Sequence, residues 1–194
     1  DRGVRIPAKN GEITMEPSQQ PFATIQIEIN NAHTLSLLLD TACSGFVLRP
    51  RIQKLCRLPT FQTPVTMTGA AGTSSGTGLT QIDSFKIANA TFGRTPAVLQ
   101  EIEALPSSLD GILGLSVMNQ FDATEFDFGN GQVHFYRHFK SLPDRSDESS
   151  LVAKANMNML GSLGIFSVDA YFGNRGPVSL LVDTGASCTL LNWD

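Results

Sequence analysis

The sequence predicts an all-β protein, and three of its features do so. Glycine and proline, 17 and 10 of the 194 residues, punctuate the chain at short intervals, as turns between short strands require. β-Branched and aromatic residues recur in brief runs between them, a composition that suits a pleated, half-buried surface. Ile25, Ile27 and Ile29 alternate with the polar Gln26, Glu28 and Asn30, which is the period of two of a strand lying against a core.

The elements follow in order. Asn30-Asn31 supplies a turn after the first strand, and residues 34–39 read as the returning strand. Residues 50–58 suit a short helix, opened by Pro50 and closed by Pro59. Residues 65–68 and 79–87 read as strands flanking a small flexible tip, the glycine-rich 69–78. Further strands are expected at 97–99 and 111–115, with a short helix near 117–121. A closing hairpin of 124–128 and 133–136 turns at Gly129-Asn130-Gly131.

Bulk composition narrows the function classes. Apolar residues make up 41% and charged residues 16%, enough for a core and too apolar for global disorder. A net charge of −4 argues against nucleic acid or an anionic membrane as partner. No apolar run approaches the roughly 20 residues of a membrane-spanning helix, so a soluble protein is expected. The chain starts at Asp1 without a signal-peptide pattern, which suggests a removed targeting segment or a fragment. Cys43, Cys56 and Cys188 cannot close a disulfide set and lack metal-ligand spacing, so buried free thiols are expected. The sequon Asn89-Ala90-Thr91 matters only in a secreted chain. The compartment stays open.

An internal repeat carries the functional signal. Residues 37–48 read LLLDTACSGFVL and residues 180–191 read LLVDTGASCTLL. Without a gap, 25–40 lies over 168–183 at one constant offset, which pairs Asp40-Thr41 with Asp183-Thr184 and Ser44 with Ser187. A repeat of this length indicates a duplicated structural unit. The polar stretch 141–150, SLPDRSDESS, reads as a linker between the copies. The expected organisation is therefore a complete lobe at 1–140, the linker at 141–150 and the opening of a second lobe at 151–194.

Each copy delivers an aspartate to the end of an apolar strand. An unpaired charge there costs several kcal/mol unless neighbours hydrogen-bond it. Thr41 and Thr184 have hydroxyls able to reach across to a partner loop, Ala42 and Gly185 let the chain turn, and Ser44 and Ser187 are placed to bond the outer carboxylate oxygens. If the two loops face each other, both carboxyls cannot ionise, and the pair holds one proton. Such a pair activates a water and polarises an amide carbonyl by general acid–base catalysis, with no metal, cofactor or covalent intermediate.

Asp40-Thr41-Ala42-Cys43-Ser44 and Asp183-Thr184-Gly185-Ala186-Ser187 resemble the D-T/S-G-x-S loops of aspartic proteases, both pepsin-like and retropepsin-like. Asp110-Gly111-Ile112-Leu113-Gly114-Leu115 resembles the segment that threads behind the catalytic loop in that fold, and residues 67–78 lie where the family carries its flap. The resemblance covers 22–137 as one lobe and roughly 151–194 as the start of another. It implies a closed acid-protease-like β-barrel lobe with a flap hairpin. It further implies catalytic Asp40 and Asp183, a supporting set of Thr41, Ser44, Thr184, Gly185 and Ser187, and flap contacts to substrate from Thr68, Gly69, Ala70, Ala71 and Gly72. The implied activity is aspartic endopeptidase, acting on a peptide or protein substrate held extended. Ala42 stands where the family expects glycine, and the flap has no tyrosine.

Each of these residues also has a plainer reading. A strand-end aspartate can simply cap a turn, and 69–78 can be a plain surface loop; no Gly-Lys-Ser/Thr follows it to make a phosphate cradle. His134 and His138 lack a third ligand for zinc, the acidic residues near 122–127 miss calcium-loop spacing, and Asp110 reads as a turn residue. The residues are compatible with two rival functions. One is a homodimer pairing Asp40 with Asp40; the other is a non-catalytic peptide-binding or assembly module, with a companion chain completing the second lobe as a further possibility.

Overall fold

The computed structural model describes residues 12–14, 22–69, 72–76, 78–138, 153–161 and 164–191, with backbone only for 12–14, 67–69 and 72–76. The linker 141–150 lies outside them, as do Ala70 and Ala71. The regular structure of the described residues is almost entirely strand. Two short helices, α1 (Pro50–Leu55) and α2 (Leu115–Met118), are its exceptions.

The first copy of the repeat is a tight hairpin. Strands β2 (Thr24–Ile29) and β3 (His33–Leu39) pair antiparallel, with Ile25 opposite Leu37 and Ile27 opposite Leu35. The turn residues Asn30 and Asn31 both take positive φ, 50° and 52°, the pattern of the primed turns that match strand twist. The alternation read from the sequence is real, for Ile25, Ile27 and Ile29 are buried between exposed or half-exposed neighbours.

Nine strands form one curled sheet among the described residues, which is the form the expected barrel takes. Its order is β10 (Ala90–Phe92), β9 (Phe85–Ile87), β2, β3, β12 (Gly111–Leu113), β4 (Phe46–Leu48), β11 (Thr95–Leu99), β8 (Gly78–Ile82) and β5 (Thr60–Phe61). The aromatic rings of Phe46, Phe85, Phe92, Phe121 and Phe135 run through its core as a chain of contacts with centroids 4.4–6.0 Å apart. A separate three-stranded sheet sets β1 (Glu12–Thr14) against the closing hairpin of β13 (Ala123–Asp127) and β14 (Gln132–Tyr136).

Two sequence expectations need correction. The stretch 79–87 is two strands, because the chain breaks at Asp83-Ser84 to let β9 pair with β2 while β8 pairs with β11. The glycine-rich segment is also more ordered than a tip. Strands β6 (Val65–Gly69) and β7 (Gly72–Gly76) form a two-stranded ribbon, with Thr68 opposite Thr73 and Gly69 opposite Gly72. Glycine and serine weaken a strand without forbidding it when a partner supplies the ladder.

The second copy folds as the first does. Strands β16 (Ile165–Phe172) and β17 (Arg175–Leu181) pair with Val168 opposite Leu180 and Ala170 opposite Val178, reproducing at the repeat offset the register of β2 with β3. Strand β15 (Asn158–Leu160) completes that sheet. One difference is large. In the first copy β12 runs parallel alongside β3 from Gly111↔Leu37 to Leu113↔Leu39, whereas β17 is an edge strand among the described residues. Apolar side chains of β17 are correspondingly exposed, Val178 at 40% and Leu181 at 41%.

Candidate active site

The first aspartate is held from behind. Strand β12 brings Leu113 beside the end of β3, and its carbonyl accepts the Asp40 N–H at 3.2 Å. The following residues then strap the loop, with Gly114 N–H donating to Gly45 O, Leu115 N–H to Cys43 O and Ser116 N–H to Ser44 O at 2.8–3.0 Å. A Cβ on Gly111 would run into the Val47 carbonyl, and one on Gly114 into the carbonyls of Cys43 and Gly45. These two glycines are there because backbone packs directly on backbone.

The two repeat loops meet, and the threonines join them. Thr41 N–H donates to Thr184 Oγ1 at 3.2 Å, and Thr184 N–H donates to Thr41 Oγ1 at 3.0 Å. Each hydroxyl passes its own proton on, Thr41 Oγ1 to Val182 O at 2.7 Å and Thr184 Oγ1 to Leu39 O at 2.8 Å. Four bonds thus tie equivalent positions of the repeat across a pseudo-two-fold arrangement, each hydroxyl donating one bond and accepting one.

This lock places Asp40 and Asp183 beside each other. The point where a Cβ of Gly185 would stand is 3.1 Å from Asp40 Oδ2 and 3.2 Å from Asp183 Oδ1. Asp40 Oδ1 accepts the Ala42 N–H at 2.7 Å, while Asp183 Oδ1 accepts those of Gly185 at 2.8 Å and Ala186 at 3.1 Å. Burial pushes the Asp40 carboxyl up from 3.8 to about 6; the Ala42 N–H pulls it down, and the neighbouring Asp183 carboxyl adds to the rise.

Ser44 and Ser187 do not take the place expected of them. Both are exposed, and the carboxylate oxygens are met by backbone N–H groups instead. The turn after each aspartate folds back far enough to bring its own amides within reach, which leaves the serine side chains outside. Ala42 does no harm to its turn, because neither it nor Gly185 takes positive φ. Cys43, next door, is no nucleophile: burial above all pushes its thiol up to about 11. Asp110 acts as a tie, accepting the Ser36 N–H on Oδ2 and Arg51 on Oδ1.

Sequence reasoning missed the cavity beside the pair. About 120 Å³ in volume, it is walled by Phe22, Leu38, Ile102, Leu105, Leu109 and Ile112 and floored by Gly185. Its signal in the sequence is the set of apolar residues among Pro and Ser in 102–109, which shows no period. A larger cavity of about 610 Å³ lies between β11 and α2; neither cavity has an aspartate in its wall, and the smaller one reaches the pair through Gly185, which stands beside both carboxyls. The hairpin β6–β7 supplies Thr68, Gly69 and Gly72 as backbone. No group of His, Cys, Asp and Glu able to hold a metal occurs among the described residues, and no described helix is long and apolar enough to cross a membrane.

Comparison with known proteins finds one matching family model and similar solved structures. Residues 25–117 match the family model described as aspartyl protease. Among solved structures it is similar to a retropepsin-like aspartic protease from Rickettsia conorii, with 17% identity and a TM-score of 0.48 over 65% of this chain and 91% of that one. It is also similar to EIAV protease in complex with the inhibitor HBY-793, with 18% identity and a TM-score of 0.40 over 53% and 90%. No curated protein matches it.

Proposed function

We propose that this chain is an aspartic endopeptidase in which Asp40 and Asp183 form the catalytic pair. One observation carries the reading: the reciprocal threonine lock brings the two strand-end carboxyls to either side of Gly185 within a single chain. The tandem organisation fits it, with one lobe at 1–140, a linker at 141–150 and the start of a second lobe from 151.

The chemistry follows from the shared proton. Asp40, with its raised pKa, donates to the carbonyl oxygen of the scissile amide. Asp183 takes a proton from water as the water oxygen attacks the carbonyl carbon, giving a tetrahedral diol. On collapse, one diol hydroxyl returns its proton to Asp40 and the C–N bond breaks. The leaving nitrogen takes the proton from Asp183, which restores the pair. The substrate lies extended and adds as a strand beneath the β6–β7 hairpin, with Thr68, Gly69, Ala70, Ala71 and Gly72 as the flap. One apolar side chain next to the scissile bond enters the cavity of Leu38 and Ile112.

A homodimer joining Asp40 to Asp40 would have to unpair Asp40 from Asp183, and nothing favours that. The test is a digest of an unstructured protein at pH 4–6 by wild type, Asp40→Asn and Asp183→Asn. Wild type should cleave, and each variant should lose a factor of about 10²–10⁴, the range that acid–base groups contribute. Cleavage that survives both substitutions overturns the assignment, and activity that falls with dilution favours the dimer.

A further inference from the structure

Between β11 and β12 the chain runs through residues 100–110 without a strand or helix. Its carbonyls have no ladder to join, yet its side chains Ile102, Leu105 and Leu109 make one wall of the cavity beside Gly185. Two arginines collect those carbonyls: Arg51 Nη2 donates to Ser107 O at 3.0 Å and Leu109 O at 3.3 Å, and Arg49 takes the larger share. Arg49, at the end of β4, donates from Nε to Leu109 O at 3.0 Å and from Nη2 to Leu105 O at 2.6 Å, Ile102 O at 3.3 Å and Pro106 O at 3.4 Å. Its Nη1 is ion-paired with Glu101. The Arg49 side chain is only 12% exposed, and its backbone N–H donates to Asp110 O at 2.9 Å. Arg49 therefore reaches both ends of the loop, while Arg51 holds only the end at 107–110. A planar guanidinium suits the task, because its forked donors reach several carbonyls at once while an ammonium offers a single point. Leu105 and Leu109 are 6% and 2% exposed, so they pack firmly only while the loop is held.

We propose that Arg49 is a positioning residue: it fixes the 101–109 wall of the cavity and thereby selects a medium-sized apolar side chain beside the scissile bond. The proposal rests on the peptide-cleaving reading above and goes beyond it in naming what sets the preference. Arg49 touches neither carboxyl, so its effect is on selection and not on the proton chemistry.

The experiment compares two peptides that differ only in leucine or alanine beside the scissile bond, using wild type, Arg49→Lys and Arg49→Ala. Wild type should favour leucine in kcat/KM by tenfold or more, on the order of what a few methylenes supply in an apolar pocket. Both variants should lose most of that preference, the leucine peptide suffering about tenfold more than the alanine peptide, while the pH midpoint near 6 stays in place. Equal losses on both peptides, retained preference, or outright unfolding of both variants would each overturn the proposal, since those are the marks of a purely structural arginine. Calorimetric binding of non-cleavable versions separates the two claims. Leucine-selective binding that depends on Arg49 without any cleavage sinks the protease reading and keeps this one. Cleavage with Arg49-independent selectivity does the reverse, and a wild type that neither binds nor cleaves ends both.

Discussion

Asp40 concentrates the consequences of the fold in one side chain. Its carboxyl holds a proton up to about pH 6 in the folded protein against 3.8 for the ordinary group. Activity that needs this proton should therefore decline as pH rises through about 6, read as the upper limb of a kcat/KM profile. The threonines make a second test. Each hydroxyl serves one amide and one carbonyl of the opposite loop. Thr41→Val or Thr184→Val should cost about 2–3 kcal/mol in urea unfolding, while serine at either position should cost far less. A double-mutant cycle between them should show coupling of at least about 0.5 kcal/mol, because both belong to one network. Additive losses would mean the loops do not depend on each other.

Among the elements, β12 does the most to position the site. It lies between β3 and β4, supplies the carbonyl that holds Asp40 N–H, and has Gly111 pressed against the Val47 carbonyl. Gly111→Ala should push the strands apart and destabilise by about 3 kcal/mol or more, measured as a drop in the unfolding midpoint. Gly185→Ala should behave differently. Its new methyl would stand 3.0 Å from Asp40 Cγ, so the expected loss is in rate, with the melting temperature little changed. The sequence announced β2, β3 and β12 through alternation and leucine runs. It hid β4 and β10, since three-residue strands are too short to show a period. It also blurred β8 into β9, because only the sheet's partner order reveals where one strand stops.

Across the whole molecule, the raised Asp40 pKa is a linkage statement. The folded state binds this proton more tightly than the unfolded chain, so its contribution to stability is greatest below pH 4 and is lost as pH rises from 3.8 to about 6. The size is about 2–3 kcal/mol at 1.36 kcal/mol per pH unit. Asp40→Asn should remove this slope and melt higher than wild type at pH 7, as seen by calorimetry at pH 4 and pH 7. The same slope in both proteins would put the buried proton elsewhere.

The sequence by itself determined the strand-rich class, the duplicated hairpin and the identity of the paired aspartates and threonines, because periodicity, turn chemistry and a repeat are local or self-referential signals. Only the tertiary structure decided that the two threonines exchange bonds, that amides and not Ser44 and Ser187 meet the carboxylates, and that Arg49 gathers carbonyls more than fifty residues further along the chain. Those contacts join groups whose separation in sequence carries no pattern. Their energies depend on burial and direction, which exist only once the sheet has curled.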